Sequence, residues 1–319
     1  MNKCEKQHFN PAALKRLLSY MKAYKGRLVL VTICILLSAV ASAASSMFLK
    51  TLIDGYIAPL LKAENPVFTG LLRALAAVGA VYLVGVCSSL VYSRTMVTIA
   101  QGTLKKIRDE MFTKMQYLPV RYFDTHTHGD IMSLYTNDTD TLRQMIAQSM
   151  AQLISSIFTI ITVFCCMLYI SVWLTILVCA ALFFILKAIK LIAGKSAGYF
   201  MKQQESLAKL ESYVEEMIHG QKVIKVFCRE KPAIKEMREK NDTWKQNAGS
   251  ANGYANTMMP MMNALGYVQY VIIAVLGAYM AIAQLPNLGL FGVNVMTLGM
   301  IASFLTMSRN FTNPISQIA

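Results

Sequence analysis

The sequence predicts an all-α membrane protein with six transmembrane helices and long helical extensions on the cytoplasmic side. Of its 319 residues, 55% are hydrophobic and only 15% are charged, whereas soluble domains carry about 25% charged residues. Charged residues are absent from four long runs: 28–49, 74–93, 144–186 and 246–308. A helix of about 20 apolar residues crosses a hydrocarbon core, so the first two runs predict one span each and the last two predict two each.

Turn-forming residues divide the two longest runs and set the predicted span boundaries. The third run can turn near Ser171–Trp173. The fourth can turn near Gln284–Gly292, where Pro286, Asn287 and Gly289 favour a break. The spans are therefore predicted near 28–49, 74–93, 144–170, 172–192, 255–282 and 292–312.

Basic residues orient these spans in the membrane. Residues 1–27, 94–143 and 187–245 hold seven, seven and thirteen of the 31 Lys and Arg residues, and all three segments fall on one side of a six-span topology. Cytoplasmic segments carry an excess of Lys and Arg. We therefore expect a multi-pass protein of the cell (plasma) membrane with both termini cytoplasmic. Because topology accounts for the net charge of +14, no nucleic-acid partner is expected.

Residues 1–27 are predicted to form a cytoplasmic amphipathic lead. A basic start followed by an apolar run imitates a secretory signal, but the lead and the 22-residue run are both too long for one. Asn10 is a suitable N-cap and Pro11 suits a first helical turn. One predicted helix face carries Leu14, Leu17, Leu18 and Met21. Such a helix can lie in the headgroup region; a solvated, partly ordered tail is the alternative.

Two cytoplasmic excursions, 94–143 and 194–245, are predicted to be helical hairpins rather than loose loops. Apolar residues recur every three or four positions from Leu104 to Leu118, and again from Leu207 to Met217. Pro119 ends the first pattern and Gly220 ends the second. Extensions of this length would reach about 35 Å beyond the membrane at about 1.5 Å per residue.

Each hairpin is predicted to return as a helix after a short break. Asn137 is a suitable N-cap for the first returning helix, and Pro232 suits the first turn of the second. Both breaks carry aromatic residues, which are costly to expose unless a partner covers them.

At these breaks the sequence resembles the transmembrane domain of an ABC exporter half-transporter. The stretch YFDTHTHGDIMSLYTNDTDTLRQ (122–144) resembles the first intracellular loop of that family, and EEMIHGQKVIKVFCRE (215–230) resembles the second. FLTMSRNFTNPISQIA (304–319) resembles the sixth helix. The Thr-His-Thr-His form of the first loop is most similar to one half of heterodimeric bacterial multidrug exporters.

The resemblance implies a type 1 exporter fold whose two loop tips are coupling helices, which dock on ATPase domains. It places the first coupling helix at Arg121, Tyr122, Phe123, Asp124, Thr125, His126, Thr127 and His128. It places the second at Val226, Phe227, Cys228, Arg229 and Glu230. Tyr122, Phe123 and Phe227 would be the docking anchors. The alternative is that both segments are only tight loop corners.

The resemblance also implies ATP-driven export of a multidrug or lipophilic substrate by alternating access, in a dimer with a second, non-identical half-transporter. A phosphate-binding loop needs G-x-x-x-x-G-K-[ST]. The only Gly-Lys-Ser is Gly194-Lys195-Ser196, and Ile189 occupies the place of the first Gly. We therefore expect no nucleotide-binding domain within 1–319, no ATPase activity by this chain itself, and no cofactor bound to it. ATP and Mg²⁺ would bind at partner nucleotide-binding domains.

Two function classes stay open at this point. The first is the permease part of an ATP-driven exporter. The second is a non-transporting truncated or regulatory membrane subunit that pairs with a full half-transporter. A secondary transporter or channel is less favoured, because it would not need such long extensions with aromatic tips.

Metal chemistry has little support in the sequence. His126 and His128 lie near Asp124 and Asp130, and zinc sites use such ligands, but the loop resemblance accounts for all four. The seven cysteines form no C-x-x-C pair and indicate no disulfide framework. No metal site is predicted.

Polar side chains within the last two spans are the candidates for a substrate pathway. They are Asn263, Gln269, Asn294 and Arg309, with Asn310 beside the last. The Met-rich segment 257–263 surrounds Pro260, which is predicted to kink its helix. Its methionines fit simple packing best; lining of an adaptable pocket and binding of a soft metal are the alternatives.

Overall fold

In a computed structural model, the chain is helical almost throughout the described residues, 11–62, 68–289 and 292–318. The helices are α1 Pro11–Met21, α2 Lys25–Lys50, α3 Ala58–Lys62, α4 Thr69–Gln116, α5 Val120–Thr125, α6 His128–Ser133, α7 Thr139–Gln144, α8 Ala151–Ile170, α9 Val172–His219, α10 Gln221–Val226, α11 Glu230–Ile282 and α12 Leu298–Ile318. Two strands, β1 Pro286–Gly289 and β2 Gly292–Val295, form an antiparallel hairpin. A 3₁₀ turn, Lys22–Tyr24, joins α1 to α2.

Three π-helical segments connect helices without interrupting them. Thr51–Ile57 joins α2 to α3, Leu134–Asp138 joins α6 to α7, and Met145–Met150 joins α7 to α8. A π turn accommodates one more residue than the α-helical turn it replaces. Residues 128–170 therefore form one continuous helical rod.

Five helical stretches in the described part of the chain are long and apolar enough to cross a membrane: Lys15–Leu61, Thr69–Gln116, His128–Ile170, Val172–His219 and Glu230–Ile282. They confirm an all-α membrane protein. α12 has 21 residues but includes Arg309, Asn310 and Asn313 and is not one of the five, so the count of six spans stays a prediction.

The long excursions follow directly from α4 and α9. α4 and α9 are single helices of 48 residues each, about 72 Å long at about 1.5 Å per residue. They end at Gln116 and His219, close to Pro119 and Gly220, where the apolar spacing predicted an end. α11 runs through Pro260 without ending.

By contact density the chain divides into two units, of which the first comprises residues 1–171 and 284–318. Its core joins α1, α2, α4 and the rod before α8. Buried apolar side chains there include Leu17, Met21, Ile35, Ile99 and Ile146.

The α1 helix packs against protein with part of its apolar face. Leu17 and Met21 are buried and Leu18 is exposed, while the side chain of Leu14 lies outside the described residues. The Tyr20 hydroxyl donates to the Glu110 carboxylate of α4, and this hydrogen bond is the main reason that the pKa of Tyr20 is raised. The amphipathic lead therefore docks on the long α4 helix.

One end of α12 is fastened to the Thr51–Ile57 π segment. The Asp54 carboxylate accepts hydrogen bonds from the Thr297 hydroxyl at 2.5 Å and from the Gly299 backbone N–H at 3.0 Å. The Thr297 hydroxyl in turn accepts from the Met300 N–H at 3.2 Å. A Cβ at Gly299 would lie 2.7 Å from the carboxylate, so only glycine leaves room for this contact. Asp54 thus caps α12 from another helix.

The hairpin displaces the start of this last helix. Span six was predicted from near 292, but residues 292–295 form β2 and the helix begins at Leu298. Gly292 has φ 146°, a conformation that no helix contains. Asn287, fully buried in β1, donates to the Ile170 carbonyl at 2.8 Å and so satisfies a backbone acceptor at the end of α8.

The second unit, residues 172–283, is a pair of long helices joined by α10. The Tyr213 hydroxyl of α9 donates to the Ala233 carbonyl of α11 at 3.1 Å, and the Asn247 amide of α11 donates to the Ser206 hydroxyl of α9 at 3.3 Å. Tyr199 and Tyr254 stack with ring centroids 5.0 Å apart. These contacts hold α9 and α11 together along their length.

Candidate functional site

The first loop, defined here as residues 117–128, contains the short helix α5. Pro119 is extended and α5 runs from Val120 to Thr125. The coupling helix predicted at 121–128 is therefore only partly one helix. His126 and Thr127 are extended, and His128 already belongs to α6.

Thr127 closes the first loop by capping the helix that follows. Its hydroxyl accepts from the Asp130 N–H at 3.1 Å and donates to the Asp130 carboxylate at 2.8 Å. Thr127 is therefore the N-cap of α6, and the side chain of Asp130 holds its hydroxyl in place. The prediction that Asn137 caps the returning helix is wrong, because Asn137 lies inside the continuous rod 128–170, nine positions after its first residue.

Aromatic contacts stiffen the first loop from within. The Tyr122 and His126 rings stack with centroids 4.1 Å apart, and Phe123 meets Tyr122 edge-on at 5.7 Å. His126 Nδ1 lies 2.9 Å from the Tyr122 carbonyl, which fixes the ring. Tyr122 and Phe123 are half-buried by these contacts.

The most exposed apolar side chains of the first loop are two that the sequence reasoning missed. Tyr117 is 85% exposed and Val120 is 76% exposed, on either side of Pro119. They lie outside the motif 122–144. The sequence feature that could have indicated them is the position of apolar residues on both sides of a helix-breaking proline. Tyr117 and Val120 offer a partner more free apolar surface than the predicted anchors do.

The second loop, defined here as residues 220–229, also contains a short helix, but earlier than predicted. α10 spans Gln221–Val226, and the coupling helix was predicted at 226–230. Val226 is the last residue of α10, Phe227 to Arg229 form the turn, and Glu230 begins α11. The predicted segment is thus the corner after the helix.

A Schellman motif ends α10. The Arg229 N–H donates to the Ile224 carbonyl at 3.0 Å, and the Cys228 N–H donates to the Lys225 carbonyl at 3.3 Å. Cys228 has φ 51°, the left-handed conformation that glycine usually provides at this position. The motif turns the chain sharply into α11.

The second loop exposes an apolar patch, defined as Val223, Val226 and Phe227. Positions three and four apart share one side of a helix, and Val226 and Phe227 are 77% and 70% exposed. The Lys225 ammonium lies 3.2 Å from the Glu230 carboxylate beside the patch. The Glu230 backbone N–H, and then Lys225, hold the pKa of Glu230 below its usual range.

The predicted pathway residues lie in several different environments. Asn263 and Arg309 are exposed, whereas Gln269 is buried. Asn294 belongs to strand β2 and not to the sixth helix, and its backbone pairs with that of Asn287; its side chain lies outside the described residues. Asn310 is half-buried and its amide donates to the Ser46 hydroxyl of α2 at 3.1 Å.

Asn310 borders a cavity of about 500 Å³ between α2, α4 and α12, here called the serine cleft. Its lining consists of Ser38, Ala41, Ser42, Ser45, Ser46, Leu49, Tyr82, Gly85, Val86, Ser89, Thr306 and Asn310. The sequence signal for this cleft was the recurrence of serine at 38, 42 and 45, a spacing of four and three that places three hydroxyls on one side of α2. The pathway prediction considered only the last two spans and so missed it.

No group of three or more His, Cys, Asp or Glu side chains in the described ranges is arranged to hold a metal ion. His126 is engaged by Tyr122, and Asp130 by Thr127. The described residues thus offer exposed apolar surfaces at two loops and one polar cleft.

Comparison with known proteins identifies the family to which this chain belongs. Residues 28–305 match the family model described as the ABC transporter transmembrane region. The chain belongs to this family. The match begins in α2 and ends in α12, so it includes both loops and all residues of the serine cleft except Thr306 and Asn310.

Relatives with this transmembrane region are larger proteins. The chain is 31% identical over 307 residues to a Bacillus subtilis (strain 168) protein named as an uncharacterized ABC transporter ATP-binding protein, YfiC, covering 96% of this chain and 48% of the relative. It is 28% identical over 272 residues to a Mycobacterium bovis fatty acid ABC transporter ATP-binding/permease protein, covering 83% and 42%. It is 25% identical over 264 residues to a Chromobacterium violaceum ATP-dependent lipid A-core flippase, covering 81% and 44%. The chain thus spans about half the length of these curated relatives.

Proposed function

We propose that this ABC transmembrane region forms the translocation pathway of an ATP-driven exporter for lipophilic substrates. The observation that carries the proposal is the exposed apolar surface at the ends of two 48-residue helices of an ABC transporter domain. Such surface is costly in water unless a partner covers it. The partner is an ATPase domain, either elsewhere in the same polypeptide or on another chain, and it binds the ATP and Mg²⁺.

The two loops are the docking elements in this proposal. In the first loop, α5 with Tyr117 and Val120 provides the contact; in the second, the patch Val223, Val226 and Phe227 does so. Both loops are held by their own caps, the Thr127 N-cap and the Cys228 Schellman motif. A loop that is already ordered needs little rearrangement on binding, so a movement of its partner displaces the attached helices directly.

Alternating access follows if the long helices move as rigid bodies. ATPase domains that close and open would draw the loop ends together and apart, and α4 and α9 would carry that motion into the membrane. The active assembly is a dimer with a second, non-identical half-transporter in the plasma membrane, with both termini cytoplasmic. The name of the fatty acid relative and that of the lipid A-core flippase support a lipophilic substrate.

The test is to place a charge in the second-loop patch of the assembled transporter. Phe227→Asp should reduce substrate-stimulated ATP hydrolysis at least tenfold and release the ATPase domain on purification where that domain is a separate chain. Ile234→Asp is the matched control, because Ile234 is an exposed apolar residue of α11 outside the loop. It should retain both properties.

Normal ATP hydrolysis and transport in the Phe227→Asp assembly would contradict docking through the second loop. An assembly that binds its ATPase partner but moves no substrate into inside-out vesicles would contradict the permease role. That second result would instead indicate a non-transporting regulatory subunit.

A further inference from the structure

We infer that the serine cleft binds an uncharged amphiphile whose polar end carries hydrogen-bond donors, such as the glycerol end of a monoacylglycerol. The inference rests on the proposed export function, and it names the class of substrate that this chain would take. The cleft lies wholly within the first unit, between α2, α4 and α12.

Hydrogen bonding within the walls makes the cleft rich in acceptors. The Ser45 hydroxyl donates to the Ala41 carbonyl at 2.8 Å, and the Ser46 hydroxyl donates to the Ser42 carbonyl at 3.3 Å. The Thr306 hydroxyl likewise donates to the Ala302 carbonyl at 3.1 Å. A hydroxyl has one hydrogen and two lone pairs, so Ser45 and Thr306 have used their hydrogens and keep their ability to accept from a ligand.

Asn310 ties two walls of the cleft together. Its amide nitrogen donates to Ser46, which is only 3% exposed, and this bond joins α12 to α2. The amide carbonyl of Asn310 is a further acceptor in the lining. α4 supplies the third wall with the hydroxyls of Tyr82 and Ser89. These two hydroxyls can donate as well as accept, so a neutral ligand with several hydroxyl groups, each of which does both, is the complement of the lining.

The lining excludes charged ligands on electrostatic grounds. None of its side chains is charged at neutral pH, and an ion moved into a low-dielectric site without a partner loses its solvation uncompensated. Lys50 follows the lining residue Leu49, but its ammonium lies over the Tyr169 ring, 5.9 Å from the centroid. A fatty acid carboxylate would therefore find no counter-charge in the cleft, whereas a neutral polyol end needs none.

The volume and the remaining lining fit that polar end with the first part of an acyl chain. A volume of about 500 Å³ lies in the usual range of ligand pockets, about 300–1,000 Å³. Leu49, Val86 and Ala41 provide apolar wall beside the hydroxyls. The lining thus combines hydroxyl groups with apolar side chains, as the binding of an amphiphile requires.

The test measures binding by native mass spectrometry of the full 319-residue chain in an amine-oxide detergent, which offers no hydrogen-bond donor. Three probes share one acyl chain: monooleoylglycerol has two hydroxyl donors, methyl oleate has none, and oleate is charged. Monooleoylglycerol should bind at least tenfold more tightly than either of the others. Equal binding of methyl oleate would overturn the inference, as would tighter binding of oleate.

Two variants place the site in the cleft. The triple variant Ser38→Ala, Ser42→Ala, Ser89→Ala should weaken monooleoylglycerol binding at least tenfold, and Ser42→Phe should block it by filling the space. Ser93→Ala is the matched control, since Ser93 is exposed on α4 one turn beyond Ser89 and outside the lining; it should bind normally. Unchanged binding by both cleft variants would overturn the assignment.

Free glycerol distinguishes a lipid end from a soluble polyol. It should fail to displace monooleoylglycerol at equal concentration; displacement would overturn the amphiphile assignment. These measurements need no ATPase domain. Absence of monooleoylglycerol binding together with normal ATP-driven transport would contradict the substrate class alone. Normal binding without transport would contradict the export function alone.

Discussion

Tyr117 offers a sensitive probe of the first loop at the scale of a single residue. Its ring is 85% exposed, so Tyr117→Asp should leave the fold intact and reduce ATPase stimulation in the assembled transporter several-fold, because an aspartate cannot be buried cheaply against a partner. Phe112→Asp, at an exposed apolar position on α4, should have little effect. Equal losses in both variants would contradict a docking role for Tyr117.

Cys228 carries backbone strain that a glycine would remove. A left-handed conformation costs an L-residue about 1–2 kcal/mol, and Cys228 adopts φ 51° at the end of α10. Cys228→Gly should therefore raise the free energy of unfolding by about 1 kcal/mol, seen as a higher midpoint of thermal unfolding in detergent. Cys228→Ala keeps the strain and should give no gain; a gain of the same size in both variants would argue against this explanation.

The motifs located both loops to within a few residues but identified only part of their exposed surfaces. Phe227 was expected at the surface and is there. Tyr122 was expected to dock but is half-buried by its stack on His126. That stack depends on the ring orientations at the end of α5, which spacing along the chain does not determine.

At the scale of an element, the start of α12 depends on one carboxylate. Asp54→Ala would leave the Thr297 hydroxyl and the Gly299 N–H without their acceptor, at a cost of about 1.5–3 kcal/mol for a hydrogen bond to a charged group. Gly299→Ala should destabilise similarly because its Cβ would lie 2.7 Å from that carboxylate. Thermal unfolding in detergent measures both.

Gly198→Ala is the control for this pair of substitutions. Gly198 lies within α9 with no atom within 4 Å of an added Cβ, so alanine should be neutral or slightly stabilising. A wild-type midpoint for Gly299→Ala would show that the close contact with Asp54 does not form.

The N-cap residue Thr127 allows a second prediction about an element. Thr127→Val removes both hydrogen bonds to Asp130 and should cost about 1 kcal/mol, with faster amide hydrogen exchange in the first turn of α6. Thr136→Val removes only a hydroxyl that donates to the Met132 carbonyl within the rod, so exchange at α6 should not change. Unaltered exchange in Thr127→Val would exclude the cap.

Apolar spacing predicted where the long helices end, but not how the next ones begin. Pro119 and Gly220 stopped the two patterns within a few residues of the observed ends. Asn137 resembled a cap because of its residue type, yet Thr127 with Asp130 starts the helix ten residues earlier than Asn137 implied. Both sites carry a suitable cap, and the rod that continues through Asn137 also packs against α4. Arg108 of α4, for example, donates to Thr139 within the rod at 3.0 Å.

For the whole molecule, the orientation in the membrane can be tested with single cysteines. In a background free of other cysteines, Cys228 should react with a membrane-impermeant maleimide only from the cytoplasmic side, because the second loop lies in a basic segment. A cysteine in place of Phe68, which is exposed just before α4, should react only from the opposite side. Labelling of both from the same side would contradict the predicted topology.

Charge-free runs and apolar spacing were sufficient to predict an all-α membrane protein, because each depends on local composition. The β1–β2 hairpin was predicted only as a break. Pro286, Asn287 and Gly289 favour a turn, but strand pairing there also depends on the buried contact of Asn287 with the end of α8. The serine cleft required three helices to meet, which no single stretch of sequence specifies.

The π segments make the chain unequally tolerant of changes in length. Deleting one residue within Thr51–Ile57 or Met145–Met150 can restore ordinary α-helical winding locally, so that neighbouring side chains keep their angular positions. The same deletion in the middle of α4 would rotate everything beyond it by about 100° and turn buried side chains such as Ile99 away from the core. Single-residue insertions and deletions during the divergence of such chains should therefore collect at the π segments, where the winding absorbs them.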